Sequence, residues 1–227
     1  MRTKFYTKGN KEIDISTWDT TLSHEELGEK YGWEGAMAYG NLINDELNFK
    51  GPGLKYGDIY LDLGANIGMS SLRAESYGCS KLYCIEPDLE VFEALNKNKQ
   101  HHWILDNIAI SDKRGYIDIP KWPNWWDTRP VPCITLDEFF AKHNISKIDY
   151  MKCDIEGHEK YVFKNTSQIT WDKIYKIFFE YHEDLNLTEE ERNLERSKFV
   201  HFYASKGFNN HHVVLGLYQS FIYFWKS

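Results

Sequence analysis

The stretch Leu61-Asp-Leu-Gly-Ala-Asn-Ile-Gly68 limits the folds open to this chain more than any other. Ile59, Tyr60, Leu61 and Leu63 read as a short buried strand. Gly64 to Gly68 then turn it into a helix carrying Met69, Leu72 and Ala74. Glycines at such a junction let the backbone take positive φ and let a ligand come close. The free N–H groups of the first helical turn face whatever lies beyond the strand. A strand ending in glycines at a helix start predicts an α/β fold with a ligand cradle at the strand's carboxyl end.

The chain after Gly57 repeats this alternation. Strands are expected over residues 59–63, 81–86, 103–110, 148–154 and 176–181, with 116–119 as a hairpin partner and late strands over 212–217 and 220–225. Helical spacing covers 89–96, 136–142 behind Thr135, 157–163 and 188–204. Strands alternating with helices imply a mostly parallel, doubly wound sheet, and the late strands add an antiparallel hairpin at its edge. Residues 1–227 read as one domain, with an N-terminal helical cover over 1–52 and the core over 53–227. In the cover, Ile13 and Ile15 suggest a hairpin or arm, and Ser23-His-Glu-Glu26 is a capping box opening one or two helices. Trp18, Tyr31 and Trp33 either cap the ligand site or pack the helices onto the sheet.

Composition narrows the partners. The net charge is −7 with Lys and Arg scattered, so no basic stripe exists to follow a phosphate backbone, and nucleic acid is not an expected partner. An acidic balance suits a small cationic cofactor. No apolar run is long enough to span a bilayer and the polar start lacks a signal-peptide core, so a cytoplasmic protein is expected. Cys79, Cys84, Cys133 and Cys153 lack zinc-finger or C-x-x-C spacing and read as buried free thiols.

In a parallel sheet the ligand sits beyond the carboxyl ends of the strands. Those ends carry Asp62 with Asn66, Glu86, Asn107, Asp154 with Glu156, and Glu180 with His182. Glu86 ends the second strand, where a carboxylate accepts both hydroxyl hydrogens of a ribose. A dinucleotide fingerprint would place glycines where Asn66 and Met69 stand, which obstructs a pyrophosphate. Asp62 suits an ammonium or sulfonium group instead. S-adenosylmethionine carries both beside an adenosine, and is favoured over a nicotinamide cofactor.

Asp62-Leu-Gly-Ala-Asn-Ile-Gly68, Ile85-Glu-Pro87, Asn107-Ile-Ala-Ile-Ser-Asp112, Thr135-Leu-Asp137, Lys152-Cys-Asp-Ile-Glu-Gly157 with Glu159, and Phe179-Glu-Tyr-His182 together resemble the FkbM family of S-adenosylmethionine-dependent methyltransferases. The resemblance runs from about Gly57 to His182. It implies a Rossmann-like class I methyltransferase fold, with a seven-stranded sheet covered by helices on both faces, and methylation of a hydroxyl on a sugar or other small molecule. Carried onto this sequence, the cofactor-binding residues are Asp62, Gly64, Ala65, Asn66, Gly68, Glu86, Pro87, Asn107 and Ile108.

Methyl transfer to oxygen is an in-line displacement that needs the acceptor placed opposite the sulfur and its proton removed. Two routes remain open. Asp154, Glu180 and His182 could hold a hard divalent ion such as Mg²⁺ that stabilises the alkoxide. Alternatively Asp154, Glu156 and His182 act without metal, with His182 or His158 as base. Lys152, on the same strand face as Asp154, reads as a salt-bridge partner. The segment Lys121-Trp-Pro-Asn-Trp-Trp-Asp-Thr-Arg-Pro130 is either a stacking platform for the acceptor or a hydrophobic plug. A nucleoside-binding module without turnover is the alternative from another functional class.

Overall fold

The computed structural model describes residues 4–7, 11–14, 16, 23–31, 52–121, 124–216 and 219–227. Strand β3 (Ile59–Leu63) lies near the centre of the main sheet. Its side chains alternate between two hydrophobic cores, Tyr60 entering one while Leu61 and Leu63 enter the other. Strand β4 (Lys81–Ile85) repeats the division, Leu82 and Cys84 against Tyr83 and Ile85. Strands buried on both faces need cover on both faces, and the helices supply it.

The first core takes helix α2 (Met69–Ser76), through Met69, Leu72 and Ala74, and helix α3 (Leu89–Asn98), through Ala94 and Leu95. It also takes a small N-terminal hairpin, β1 (Lys4–Tyr6) with β2 (Glu12–Asp14), whose opposed residues Phe5 and Ile13 are both buried. The second core takes α4 (Leu136–Lys142), α5 (Gln168–Trp171) and α6 (Glu189–Ser205) through Phe139, Trp171, Phe199 and Tyr203. Thr135 and Thr188 each start a helix with a reciprocal capping box, to Glu138 and Glu191.

With β5 (Trp103–Asp106), β9 (Tyr150–Cys153), β10 (Lys176–His182), β11 (Asn210–Leu215) and β12 (Gln219–Trp225), the sheet among the described residues has seven strands in the order β11-β12-β10-β9-β3-β4-β5. Strands β10, β9, β3, β4 and β5 are mutually parallel, and β12 runs antiparallel to β10 with β11 antiparallel to β12. This is the expected mostly parallel sheet with a C-terminal antiparallel hairpin.

Three expectations need correction. The strand expected over 103–110 breaks after Asp106, and its second part, β6 (Ala109–Ile110), joins a separate three-stranded sheet with β7 (Gly115–Lys121) and β8 (Asn124–Ile134). The segment 121–130 therefore lies largely within this sheet, and β8 tolerates prolines because Pro130 and Pro132, two apart, leave their missing N–H groups along one side of the strand. The helix expected over 157–163 is a series of turns, closed by Tyr161 and Val162 N–H donating to the His158 carbonyl. The cover over 1–52 is not wholly helical: the β1–β2 hairpin precedes α1 (His24–Tyr31), which Ser23 and Glu26 cap reciprocally. Residues 32–51, Trp18 and the side chains of Tyr31, Trp122, Trp125 and Trp126 lie outside the described residues, and with them Trp33 and the lid and stacking expectations.

Candidate active site

Beyond the carboxyl ends of β3, β4 and β9 lies a cavity of about 310 Å³, within the range of small-molecule sites. Gly64, Ala65 and Asn66 form one wall and Glu86 and Pro87 another. Ile117, Ile119 and Pro120 of β7 close the side away from the sheet, and Asp154 and Glu156 stand at its far end.

The glycine turn is fixed by crowding. Gly64 has φ +73°, and a Cβ there would sit 1.7 Å from the Asp154 carbonyl oxygen, so any side chain would push the turn off β9. Gly68, at φ +93°, leads into α2, and a Cβ there would meet Leu95 and Trp103. Asn66 also has positive φ, at 51°, which asparagine tolerates better than most residues.

Glu86 is 8% exposed and both its oxygens are engaged, Oε2 by the Asn66 N–H at 3.0 Å and Oε1 by the Asp88 N–H at 2.8 Å. Each oxygen keeps a second lone pair for a ligand hydroxyl. Burial pushes this carboxyl up to about 7, against the lowering by those two N–H donors. Asn107 does not line the cavity. Its amide donates to the Glu86 and Pro87 carbonyls at 2.8 and 3.0 Å and so shapes the turn that presents Glu86. Ile108 packs, half-buried, on the second core.

Asp62 is placed differently from the sequence expectation. It is fully buried beneath the turn and is not part of the cavity wall. Ser71 donates to its Oδ2 at 2.6 Å, and the Lys152 ammonium lies 3.5 Å from its Oδ1. Lys152 also donates to the Gly64 carbonyl at 2.8 Å and to Asp154 at 3.1 Å, pinning the turn to β9. Burial alone would lower its pKa, and the Asp154 and Asp62 carboxylates overcome that and hold it above the ordinary lysine value. Asp62 therefore reaches the cavity only through Lys152. The spacing that suggested direct contact with a cation did not reveal the buried lysine on the adjacent strand.

Where β9 and β10 end, the structure gathers four groups, of which Asp154 and Glu156 line the cavity. Asp154, Glu180 and His182 each offer a ligand atom within 4.8 Å of the others, and His182 Nε2 lies 3.4 Å from Glu156. Behind them the buried Glu159 carboxylate accepts from the Ile155 and Gly157 N–H groups and lies 3.2 Å from His182 Nδ1. A carboxylate on Nδ1 fixes the imidazole's orientation and leaves Nε2 facing the cluster. Burial by itself would lower His182, but Glu159, Asp154 and Glu156 outweigh it and raise it to about 9, so it carries a proton at neutral pH in this arrangement. Glu156 sits at φ +57°, followed by Gly157 at +95°, a strained turn at a residue that lines the cavity. Burial and then Asp154 raise its pKa. Glu180 accepts from Gln219 on β12 at 2.6 Å. Glu159 was visible in sequence only as a companion two residues after the Lys-Cys-Asp-Ile-Glu-Gly157 motif, and its orienting role required the fold.

A cavity bounded by a glycine turn, a buried carboxylate with spare lone pairs and a polar cluster at the strand ends has the chemistry to take a nucleoside beside acid–base groups. The family model of the methyltransferase FkbM domain matches residues 62–200. The chain belongs to the FkbM methyltransferase family. It is accordingly an S-adenosylmethionine-dependent methyltransferase. No curated protein matches this FkbM chain in sequence. Among solved structures, a fibrillarin/Nop5p complex chain is 15% identical with a TM-score of 0.54, covering 100% of this chain and 99% of that one. The precorrin-6y C5,15-methyltransferase of Geobacter metallireducens is 12% identical, TM-score 0.49, covering 86% and 89%. Aeropyrum pernix fibrillarin with natively bound S-adenosyl-L-methionine is 12% identical, TM-score 0.49, covering 82% and 76%. At 15% identity the likeness to the fibrillarin/Nop5p chain concerns fold alone, and with the sheet order above the fold is the Rossmann-like class I methyltransferase fold. Among the described residues no helix is long and apolar enough to cross a membrane.

Proposed function

We propose that this FkbM protein transfers the methyl group of S-adenosylmethionine to a hydroxyl of a small molecule or glycan. The observation that carries the reading is the position of Asp154, which lines the cavity and also belongs to the carboxylate–imidazole cluster with Glu180 and His182. In this reading Gly64, Ala65, Asn66 and Pro87 bound the cofactor and Glu86 takes its ribose hydroxyls. Asp62, Gly68, Asn107 and Ile108 hold those residues in place. An acceptor hydroxyl at Asp154 meets a hydrogen-bond acceptor beside the cofactor; Asp154 takes its proton as the methyl group leaves sulfur, and protonated His182 stabilises the developing alkoxide. The net charge of −7 and the carboxylates of the cavity favour an uncharged or cationic acceptor over nucleic acid. Four free, buried cysteines suit a reducing, cytoplasmic setting.

One observation favours a metal-assisted version. Three ligand atoms of suitable type lie within 4.8 Å of one another, and the imidazole among them is oriented from behind by a buried carboxylate. Asp154, Glu180 and His182, the last having given up its proton, would then hold Mg²⁺, which would lower the pKa of the acceptor hydroxyl and stabilise the alkoxide, the hydroxyl proton passing to Glu156 or to solvent.

The test is to supply S-adenosylmethionine with a panel of sugars and other hydroxyl compounds, follow S-adenosylhomocysteine, and locate the methyl group by NMR. A methyl ether supports the reading; methyl on nitrogen or carbon, or transfer to RNA alone, overturns it. Activity lost with a chelator and restored by Mg²⁺ selects the metal route, and activity indifferent to chelation selects the metal-free one.

A further inference from the structure

The N-terminal hairpin is tied to the glycine turn by one side chain. Asn98, the last residue of α3, is fully buried. Its Oδ1 accepts from the Tyr6 N–H at 2.7 Å, and its Nδ2 donates to the Tyr6 carbonyl at 2.8 Å and the Ile67 carbonyl at 2.9 Å. The amide thus pairs with β1 as a neighbouring strand would, and the same group holds the turn between Gly64 and Gly68. On the apolar side, Phe5 and Ile13 pack in the core that contains Ala65 and Ile67. Thr7, the residue after β1, is 1% exposed, and its N–H donates to the Lys11 carbonyl at 2.9 Å. It also lines the cavity that Glu86 and Asn66 line.

We propose that the N-terminal hairpin is a working wall of the cofactor site: Thr7 contacts bound S-adenosylmethionine, and Asn98 is a positioning residue that sets the hairpin and the glycine turn in register with each other. This rests on reading the cavity as the cofactor site. The chemistry supports a coupling between two elements remote in sequence. A turn made of glycines and a positive-φ asparagine has little stiffness of its own; in a dry environment one Asn98 hydrogen bond fixes it at Ile67 while two more tie the same amide to Tyr6. Displacing the hairpin would open the cavity at Thr7 and strip Asn98 of its two bonds to Tyr6, loosening the amide that holds the Ile67 carbonyl. Cofactor binding then stabilises the hairpin by the same coupling.

The experiment is amide hydrogen exchange of the full chain with and without S-adenosylhomocysteine, together with calorimetric affinities of wild type, Asn98→Leu and Thr7→Phe. In wild type, saturating ligand slows exchange at Tyr6, Thr7 and Ile67 by about tenfold or more. Asn98→Leu, close in size but unable to hydrogen-bond, weakens the ligand by about tenfold and abolishes ligand-induced protection of the hairpin while leaving it at Glu86. Thr7→Phe, which leaves the Asn98 bonds intact, blocks the cavity and weakens binding by at least as much. Should Asn98→Leu fail to fold, the wild-type exchange and Thr7→Phe decide. Ligand binding in wild type with unchanged exchange in the hairpin, or wild-type affinity in Thr7→Phe, overturns the inference. No ligand binding in wild type overturns the cofactor reading itself.

Discussion

Glu86 makes cofactor affinity depend on pH in a direction that can be worked out. Its carboxyl is raised from 4.5 to about 7 by burial, despite two backbone N–H donors. Between those values the folded chain keeps a proton that the unfolded chain has released, so this residue's contribution to stability falls as pH rises from about 4.5 to about 7. The interval corresponds to about 3 kcal/mol. Ribose hydroxyls donate to the ionised carboxylate, so binding selects the deprotonated form. With half-ionisation near 7, affinity for S-adenosylmethionine at pH 8 exceeds that at pH 6 by about tenfold. Glu86→Gln keeps the shape but turns an NH₂ group toward a backbone N–H, either that of Asn66 or that of Asp88. It weakens binding by about 2 kcal/mol or more and abolishes this pH dependence. Calorimetry from pH 6 to 8 on both proteins is the assay. Equal wild-type affinity at pH 6 and 8, or the same pH slope in Glu86→Gln, would refute the reasoning.

Three further outcomes are expected. Gly64→Ala, with its Cβ 1.7 Å from the Asp154 carbonyl oxygen and φ at +73°, loses more than about 2 kcal/mol in urea unfolding and weakens the cofactor. Lys152→Met strands the buried Asp62 and costs about 3–5 kcal/mol, part of which the double variant Lys152→Met, Asp62→Asn recovers. Asp154→Asn and His182→Gln, tested on the acceptor found by the panel, lower kcat by about 10² or more while cofactor affinity stays within about twofold.

Much of the fold was legible because local signals agreed with global ones. β3 and β4 were readable as short apolar runs, interrupted in β3 by Asp62, Thr135 announced its helix through Glu138, and Glu86 was placed by the end of its strand. The three-stranded sheet was not, since Pro120, Pro130 and Pro132 lack ladder donors and only the pairing of β7 with β8 shows where their absent N–H groups fall. Nor did turn residues 156–165 follow their helical spacing: the positive φ at Glu156 and Gly157 turns the chain, and Glu159 caps it from within. At the site, residues adjacent in sequence were legible and those joined across strands were not. Asp62 appeared to be a ligand group because its lysine partner lies 90 residues later on β9, and Asn98 gave no signal because its partners lie on the hairpin and the turn.

The most direct test of the account is equilibrium titration of the wild-type protein at pH 8 with S-adenosylmethionine, S-adenosylhomocysteine and NAD. One site per chain that takes the first two in mutual competition and ignores NAD is the predicted result; no binding, or displacement by NAD, would contradict it.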